Sequence, residues 1–214
     1  MINLRHALSL GSSRGGWQKF LRALDRGRAG GERKSSTRLR EVFGFGSNPG
    51  NLRMFGYRPP ALADNPALVV VLHGCTQTAA GYDLGAGWST LADRYGFALL
   101  LPEQQQSNNP NGCFNWFQPE HSWRNQGEPL SIRQMIEKSV VDYGIDRRRI
   151  FVTGLSAGGA MTSNMLACYP EVFAAGAIVA GLPYGAATTV QKAFEAMLQS
   201  PSRPARDWGD LVRK

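Results

Sequence analysis

The sequence predicts an α/β protein, a mostly parallel sheet with helices on both faces. Short continuous apolar runs at 67–72, 97–101 and 150–153 are bounded by Gly or Pro, the pattern of strands covered on both sides. Segments with helical spacing separate them, so successive strands are joined by βαβ crossovers. A chain of 214 residues, 43% of them hydrophobic, is large and apolar enough for one domain with its own core.

Each element has its own signal. From Asn51 to Tyr57 apolar and polar residues roughly alternate, and Pro59-Pro60 follows, giving an edge strand and a turn. The run Ala67 to Leu72 is the first buried strand and ends at His73-Gly74. Trp88 to Tyr95 forms a short helix stopped by Gly96, and Phe97 to Leu101 is a second buried strand stopped by Pro102. Ile132, Met135, Ile136, Val140 and Tyr143 recur at helical spacing, with Gly144 as terminator. A third buried strand at Ile150 to Thr153, a helix over 157–168, a fourth strand over 175–179 and a helix over 190–199 complete the series. In such sheets ligands bind beyond the carboxyl ends of the strands. That places His73 to Gln77, the segment from Glu103 onward, and Ser156 on one rim.

Charge divides the chain. Residues 1–40 hold ten Lys/Arg against two Asp/Glu, whereas residues 41–214 hold fourteen of each, so the first forty residues carry all of the net +8. Residues 1–42 are expected to be a basic, flexible leader and residues 43–214 the folded domain. A nucleic-acid-binding protein carries its basic patch on a folded face, and here that part is neutral, so no nucleic-acid partner is expected. Trp17, Phe20, Leu21 and Leu24 fit either an ordinary N-terminal helix or a short basic amphipathic one resting on a membrane or polymer surface. No apolar run is long enough to span a bilayer, and no secretory signal is visible. Three cysteines exclude a dense disulfide framework. One bridge between Cys75 and Cys113 is compatible with their positions, and Cys168 reads as a small buried hydrophobe. The His and Cys residues lack metal-ligand spacing and no glycine-rich phosphate loop follows a strand, so neither metal nor cofactor is expected.

The chemistry is written at Gly154-Leu155-Ser156-Ala157-Gly158. This Gly-x-Ser-x-Gly falls directly between a buried strand and a helix, the context in which it acts as a nucleophile elbow. Glycines two residues to either side remove Cβ atoms that would collide with the neighbouring strand and helix. A serine at a helix N-terminus also stands beside unpaired amides and the positive end of the dipole, which favour an oxyanion. Ser156 is therefore the candidate nucleophile and the Ala157 amide the first oxyanion donor. The second donor is expected from the His73-Gly74-Cys75-Thr76-Gln77 loop, at Cys75 with Thr76 as alternative. His73 is expected to brace its loop.

Between Pro102 and Leu130 lies a polar and aromatic connection too long for a simple link, so it is either functional or packed down on the domain. Its Trp116, Phe117 and Trp123 offer a flat apolar wall. Trp116 and Phe117, with Thr76 and Gln77, are the candidate substrate-binding residues.

Several blocks in order resemble the polyhydroxybutyrate (PHB) depolymerase family of esterases, of the α/β-hydrolase superfamily. They are Leu72-His73-Gly74-Cys75-Thr76-Gln77, Cys113-Phe114-Asn115-Trp116-Phe117, Leu130-Ser131-Ile132-Arg133-Gln134-Met135, the stretch from Phe151 to Met161, and Gly181-Leu182-Pro183-Tyr184-Gly185. The resemblance runs from about Phe43 to about Ala196. It implies a serine-dependent carboxylic-ester hydrolase, typically extracellular, acting on short 3-hydroxyalkanoate esters or polyester, with feruloyl and acetyl esterases as related members. With no export signal visible, a cytoplasmic location is the alternative.

The pattern then stops. In an α/β-hydrolase the acid and the histidine of the triad follow the serine. Here all three histidines, His6, His73 and His121, precede Ser156. The expectation is a chain truncated before its C-terminal strands and catalytically incomplete. Glu171, Glu195, Asp207 and Asp210 are left unassigned as the acid. His121, on the same rim, is the one substitute base to consider.

Overall fold

The computed structural model describes residues 37–199 and 202–213, which contain six strands and six α-helices. The expected N-terminal helix around Trp17 lies outside the described residues. Strand β1 (Arg40–Val42) pairs antiparallel with β2 (Arg53–Tyr57), and β2 pairs antiparallel with β4 (Phe97–Glu103). From there the sheet is parallel: β4 beside β3 (Ala67–Leu72), β3 beside β5 (Ile150–Leu155), and β5 beside β6 (Ala175–Val179). The order β1-β2-β4-β3-β5-β6 sends the chain from β3 out to β4, then back across β3 to β5. The direction of winding therefore reverses between β3 and β5, the position at which such sheets open a crevice at their carboxyl ends.

The apolar run of β3 is continuous because both faces of the sheet are covered. Leu68, Val70 and Leu72 point into one core with Ile132, Met135 and Ile136 of α3 (Gly127–Tyr143) and Ala157, Ala160, Met161 and Met165 of α4 (Ala157–Cys168). Val69 and Val71 point the other way, toward Ala79 of α1 (Ala79–Ala86) and Trp88 and Ala92 of α2 (Trp88–Tyr95). Period-two alternation thus feeds two separate cores, and the helices lie on both faces as expected.

Some boundaries differ from expectation. The sheet begins at Arg40, inside the stretch assigned to the leader. A three-residue strand has no readable period, and Arg38 is already tied to Tyr57 and Asp93. Helix α1 has no clear signal in the sequence because Gly81 and Gly85 dilute its helical character; Thr78 caps it by accepting from the Gly81 amide at 3.0 Å. Strand β4 continues through Pro102, where β3 no longer pairs with it and β2 alone does, so the missing N–H is tolerated. Beyond the expected helix over 190–199, which forms as α5 (Val190–Leu198), a further helix α6 (Ala205–Arg213) follows, with Asp210 paired to Arg213 at 2.6 Å.

At the other edge every residue of β6 is exposed, including Ile178 and Val179 at 47% and 48%. Among the described residues no strand pairs with its outer edge, and it carries no Lys, Pro or bulge, so it is a template for further pairing.

Candidate active site

The chain leaves β5 at Leu155 and enters α4 at Ala157, so Ser156 alone makes the turn. Its backbone sits at φ 55°, ψ −115°, which residues with a Cβ avoid. Neighbours hold it there: the Ser156 amide donates to the Val179 carbonyl of β6 at 2.9 Å, and its carbonyl accepts from the Ala160 amide at 2.9 Å. A Cβ on Gly154 would run into the carbonyl of Gly158, and one on Gly158 into the carbonyls of Leu72 and His73. The two glycines thus let helix, elbow and central strand meet backbone to backbone. Ser156 itself is exposed at the rim.

Ala157 is the first residue of α4, where amides have no intrahelical acceptor. The loop after β3 lies alongside: a Cβ built on Gly74 would stand 3.7 Å from the Ser156 Cβ. Within that loop the amides are allotted. Gly74 donates to the Gln77 side-chain carbonyl at 2.8 Å, Thr76 to the Asn111 carbonyl at 2.8 Å, and Gln77 to the Gly74 carbonyl at 3.3 Å. The Cys75 amide has no hydrogen-bond partner among the described residues. Of the two donors expected here, Thr76 has its amide committed and Cys75 does not. The Cys75 side chain is joined by a disulfide to Cys113 of the long connection. Thr76 is exposed at the rim, while Gln77 holds the loop closed through Gly74.

Trp116 and Phe117 require a correction. They are 5% and 8% exposed and belong to the main core, stacked edge to face with ring centroids 5.4 Å apart. Two side chains hold the Trp116 backbone: its carbonyl accepts from Asn164 at 2.9 Å and from Ser122 at 2.6 Å. The connection is packed down on the domain, the second of its two readings, and of its four large aromatics, Phe114, Trp116, Phe117 and Trp123, only Trp123, 57% exposed, keeps an open face. Burying two large rings outweighs displaying them, since each removes on the order of 150–250 Å² from water.

His73 braces its loop. It is fully buried; Nδ1 bonds the Gly74 carbonyl at 2.8 Å and Nε2 accepts from the Gln104 amide at 3.1 Å. Burial lowers its pKa to about 4, so the ring is neutral with both nitrogens occupied. His121, the substitute base considered, packs against Gly127 and Glu128 at the start of α3. Its Nδ1 is buried without a hydrogen bond, 3.8 Å from a Glu128 oxygen. Burial lowers the His121 pKa and raises that of Glu128 to about 8, so the pair is uncharged at neutral pH and not an ion pair.

Nothing in the sequence signals the polar cluster behind these loops. Fully buried Glu128 accepts from the Asn115 amide and side chain, each at 2.9 Å, and from Gln104 at 2.6 Å. A glutamate in a helix's first turn reads as an ordinary dipole partner facing water, and nothing local says that it is buried.

Residues 53–207 match the model of the family described as Esterase PHB depolymerase. The chain belongs to the Esterase PHB depolymerase family. It is 49% identical over 175 residues to the poly(3-hydroxyalkanoate) depolymerase C of Paucimonas lemoignei, covering 82% of this chain and 42% of that protein. It is 35% identical over 181 residues to feruloyl esterase B of Neurospora crassa, covering 82% and 61%. Among solved structures, the acetyl xylan esterase from Aspergillus awamori superposes with a TM-score of 0.67 at 37% identity, over 72% of this chain and 56% of that one. This family member therefore spans about half the length of these relatives. Its mostly parallel sheet with flanking helices is the α/β-hydrolase fold of the esterases it resembles.

Proposed function

We propose that the chain carries the nucleophile half of a serine-dependent carboxylic-ester hydrolase acting on short 3-hydroxyalkanoate esters or the corresponding polyester. The observation that carries the reading is Ser156, held at positive φ on an exposed turn between strand and helix, beside an unallotted amide at Cys75 and the helix-opening amide of Ala157. In this mechanism Ser156 Oγ attacks the ester carbonyl carbon and gives its proton to a base. The carbonyl π pair moves onto oxygen and is received by the Cys75 and Ala157 amides. Collapse of the tetrahedral intermediate breaks the C–O bond; the alcohol leaves with a proton and the acyl group stays on Ser156. Water then repeats the sequence and releases the acid.

No described residue stands ready as the base. His73 has both nitrogens engaged and His121 faces Glu128, while His6 lies outside the described residues. On this reading the described residues by themselves are catalytically incomplete, limited to the residual acceleration of about three to four orders of magnitude over water that binding and an oxyanion hole retain without a triad. Substrate-binding roles for Thr76 and Gln77 belong to the same reading: Thr76 lines the rim and Gln77 shapes the loop. The 49% identity to a depolymerase favours a hydroxyalkanoate ester, with feruloyl or acetyl esters as the second choice. The Cys75–Cys113 disulfide supports an extracellular, oxidising location. Among the described residues no helix is long and apolar enough to cross a membrane.

Intact-mass analysis after a fluorophosphonate probe tests the nucleophile. The expected result is slow labelling that Ser156→Ala abolishes, with negligible steady hydrolysis of a p-nitrophenyl ester. Labelling that persists in Ser156→Ala would overturn the assignment, and brisk steady turnover would overturn the claim of incompleteness.

A further inference from the structure

A fully buried carboxyl group must have its oxygens hydrogen-bonded, and among the described residues no cationic group stands within hydrogen-bond distance of Glu128 to do so. What surrounds it is a set of neutral donors, and each leads to a different part of the rim. Gln104, whose side-chain amide bonds Glu128 at 2.6 Å, also donates to the Cys113 carbonyl at 3.2 Å, and its backbone amide meets His73 Nε2 at 3.1 Å. His73 in turn bonds the Gly74 carbonyl and lies against Phe114, ring centroids 4.9 Å apart. Asn115, bonded to Glu128 through both its backbone and its side chain, fixes the segment that carries Cys113 and hence the disulfide to Cys75. Two routes therefore run from one carboxyl group to the two sides of the Cys75 amide, one through Gln104 and His73 to Gly74, the other through Asn115 and Cys113 to Cys75.

We propose that Glu128 is the positioning residue of the oxyanion loop: its two oxygens collect the Gln104 and Asn115 donors and so set where the Cys75 amide stands relative to Ser156. The proposal rests on the reading of Ser156 and Cys75 given above. Glu128 touches no substrate and acts only through the residues it holds. Its side chain is suited to this because it receives three donors on two oxygens and presents acceptor lone pairs to all of them whether or not it holds a proton. A glutamine at this position keeps the volume but replaces one acceptor oxygen with an NH2 group that faces a donor, so at least one of the three bonds is lost. The Asn115→Asp change in that background moves the carboxyl group one side chain along. The carboxylate so introduced at position 115 would accept from the new amide at position 128. It would also still accept from Asn109 and Gln118, which bond the Asn115 side-chain oxygen at 2.9 and 3.2 Å.

The test uses the full chain and two readouts, amide hydrogen exchange resolved to segments and the rate at which Ser156 is labelled by a fluorophosphonate. In Glu128→Gln, exchange over residues 73–77 and 104–116 should rise about tenfold or more while β3 and β5 stay within about twofold of wild type. Ser156 labelling should slow by about tenfold, and Glu128→Gln/Asn115→Asp should recover a substantial part of both effects. Unchanged exchange over 73–77, or a rise shared equally by β3 and β5, would overturn the proposal, as would a double variant no better than the single one. If exchange responds as expected but the wild-type chain is never labelled at Ser156, the bracing role stands and the nucleophile reading falls. If labelling is present and indifferent to Glu128→Gln, the reading stands and the positioning role falls.

Discussion

If the elbow stores backbone strain, replacing Ser156 should reveal it, and the replacement that matters is glycine. At φ 55°, ψ −115° a residue with a Cβ carries a cost of about 1–3 kcal/mol, which the bonds to Val179 and Ala160 hold in place. Ser156→Gly removes that cost but adds about 0.5–1 kcal/mol of unfolded-state entropy. Ser156→Ala keeps the Cβ and its strain, and loses only a hydroxyl on an exposed side chain. The glycine variant should therefore be more stable than the alanine variant by about 1 kcal/mol, the difference between the midpoints of the two terms. For a domain of this size each 1 kcal/mol moves the melting temperature by roughly 2–4 °C. Thermal melts of the two variants, both unable to act as nucleophile, make the comparison independent of catalysis. Equal melting temperatures, or a glycine variant that melts lower, would show that the turn is not strained and would refute the reasoning.

Further outcomes follow from burial and charge. Trp116→Ala should cost about 3–5 kcal/mol by denaturant titration, as for a core ring. Trp123→Ala, at an exposed position, should stay within about 0.5 kcal/mol of wild type. Burial raises Glu128 from the ordinary glutamate value of 4.5 to about 8, so between those pH values the folded state binds more protons than the unfolded chain. Its contribution to stability is then greatest below about pH 4.5 and is lost as pH rises toward 8, and melts across about pH 6.5–8 should decline more steeply in wild type than in Glu128→Gln. His73, lowered from 6.5 to about 4, acts in the opposite sense, its contribution being lost as pH falls from 6.5 toward 4. Ile178→Lys at the exposed β6 edge should reduce concentration-dependent light scattering without lowering the melting temperature.

The strands of the central sheet and the elbow are legible in the sequence because their signals are local. A six-residue apolar run such as Ala67–Leu72 announces burial on both faces, and Gly154 and Gly158 announce a backbone that must pass close to its neighbours. The same locality puts Ser156, Ala157 and the loop at Cys75 on one rim, since the carboxyl ends of parallel strands share an edge. Which amide of the loop is left unallotted cannot be read, because it depends on Asn111 and Gln77 reaching the Thr76 and Gly74 amides. Nor can the fate of Trp116 and Phe117, whose aromatic character suits a binding wall and a core equally; only packing against α4 decides it. Glu128 is the clearest case. Its sequence position says exposed helix start, and its tertiary position makes it the buried acceptor for donors 13 and 24 residues away. Hydrophobic period and turn chemistry act within a few residues and so are written in the chain, whereas the pairing of buried polar groups is settled by whichever donors the fold brings to the same place.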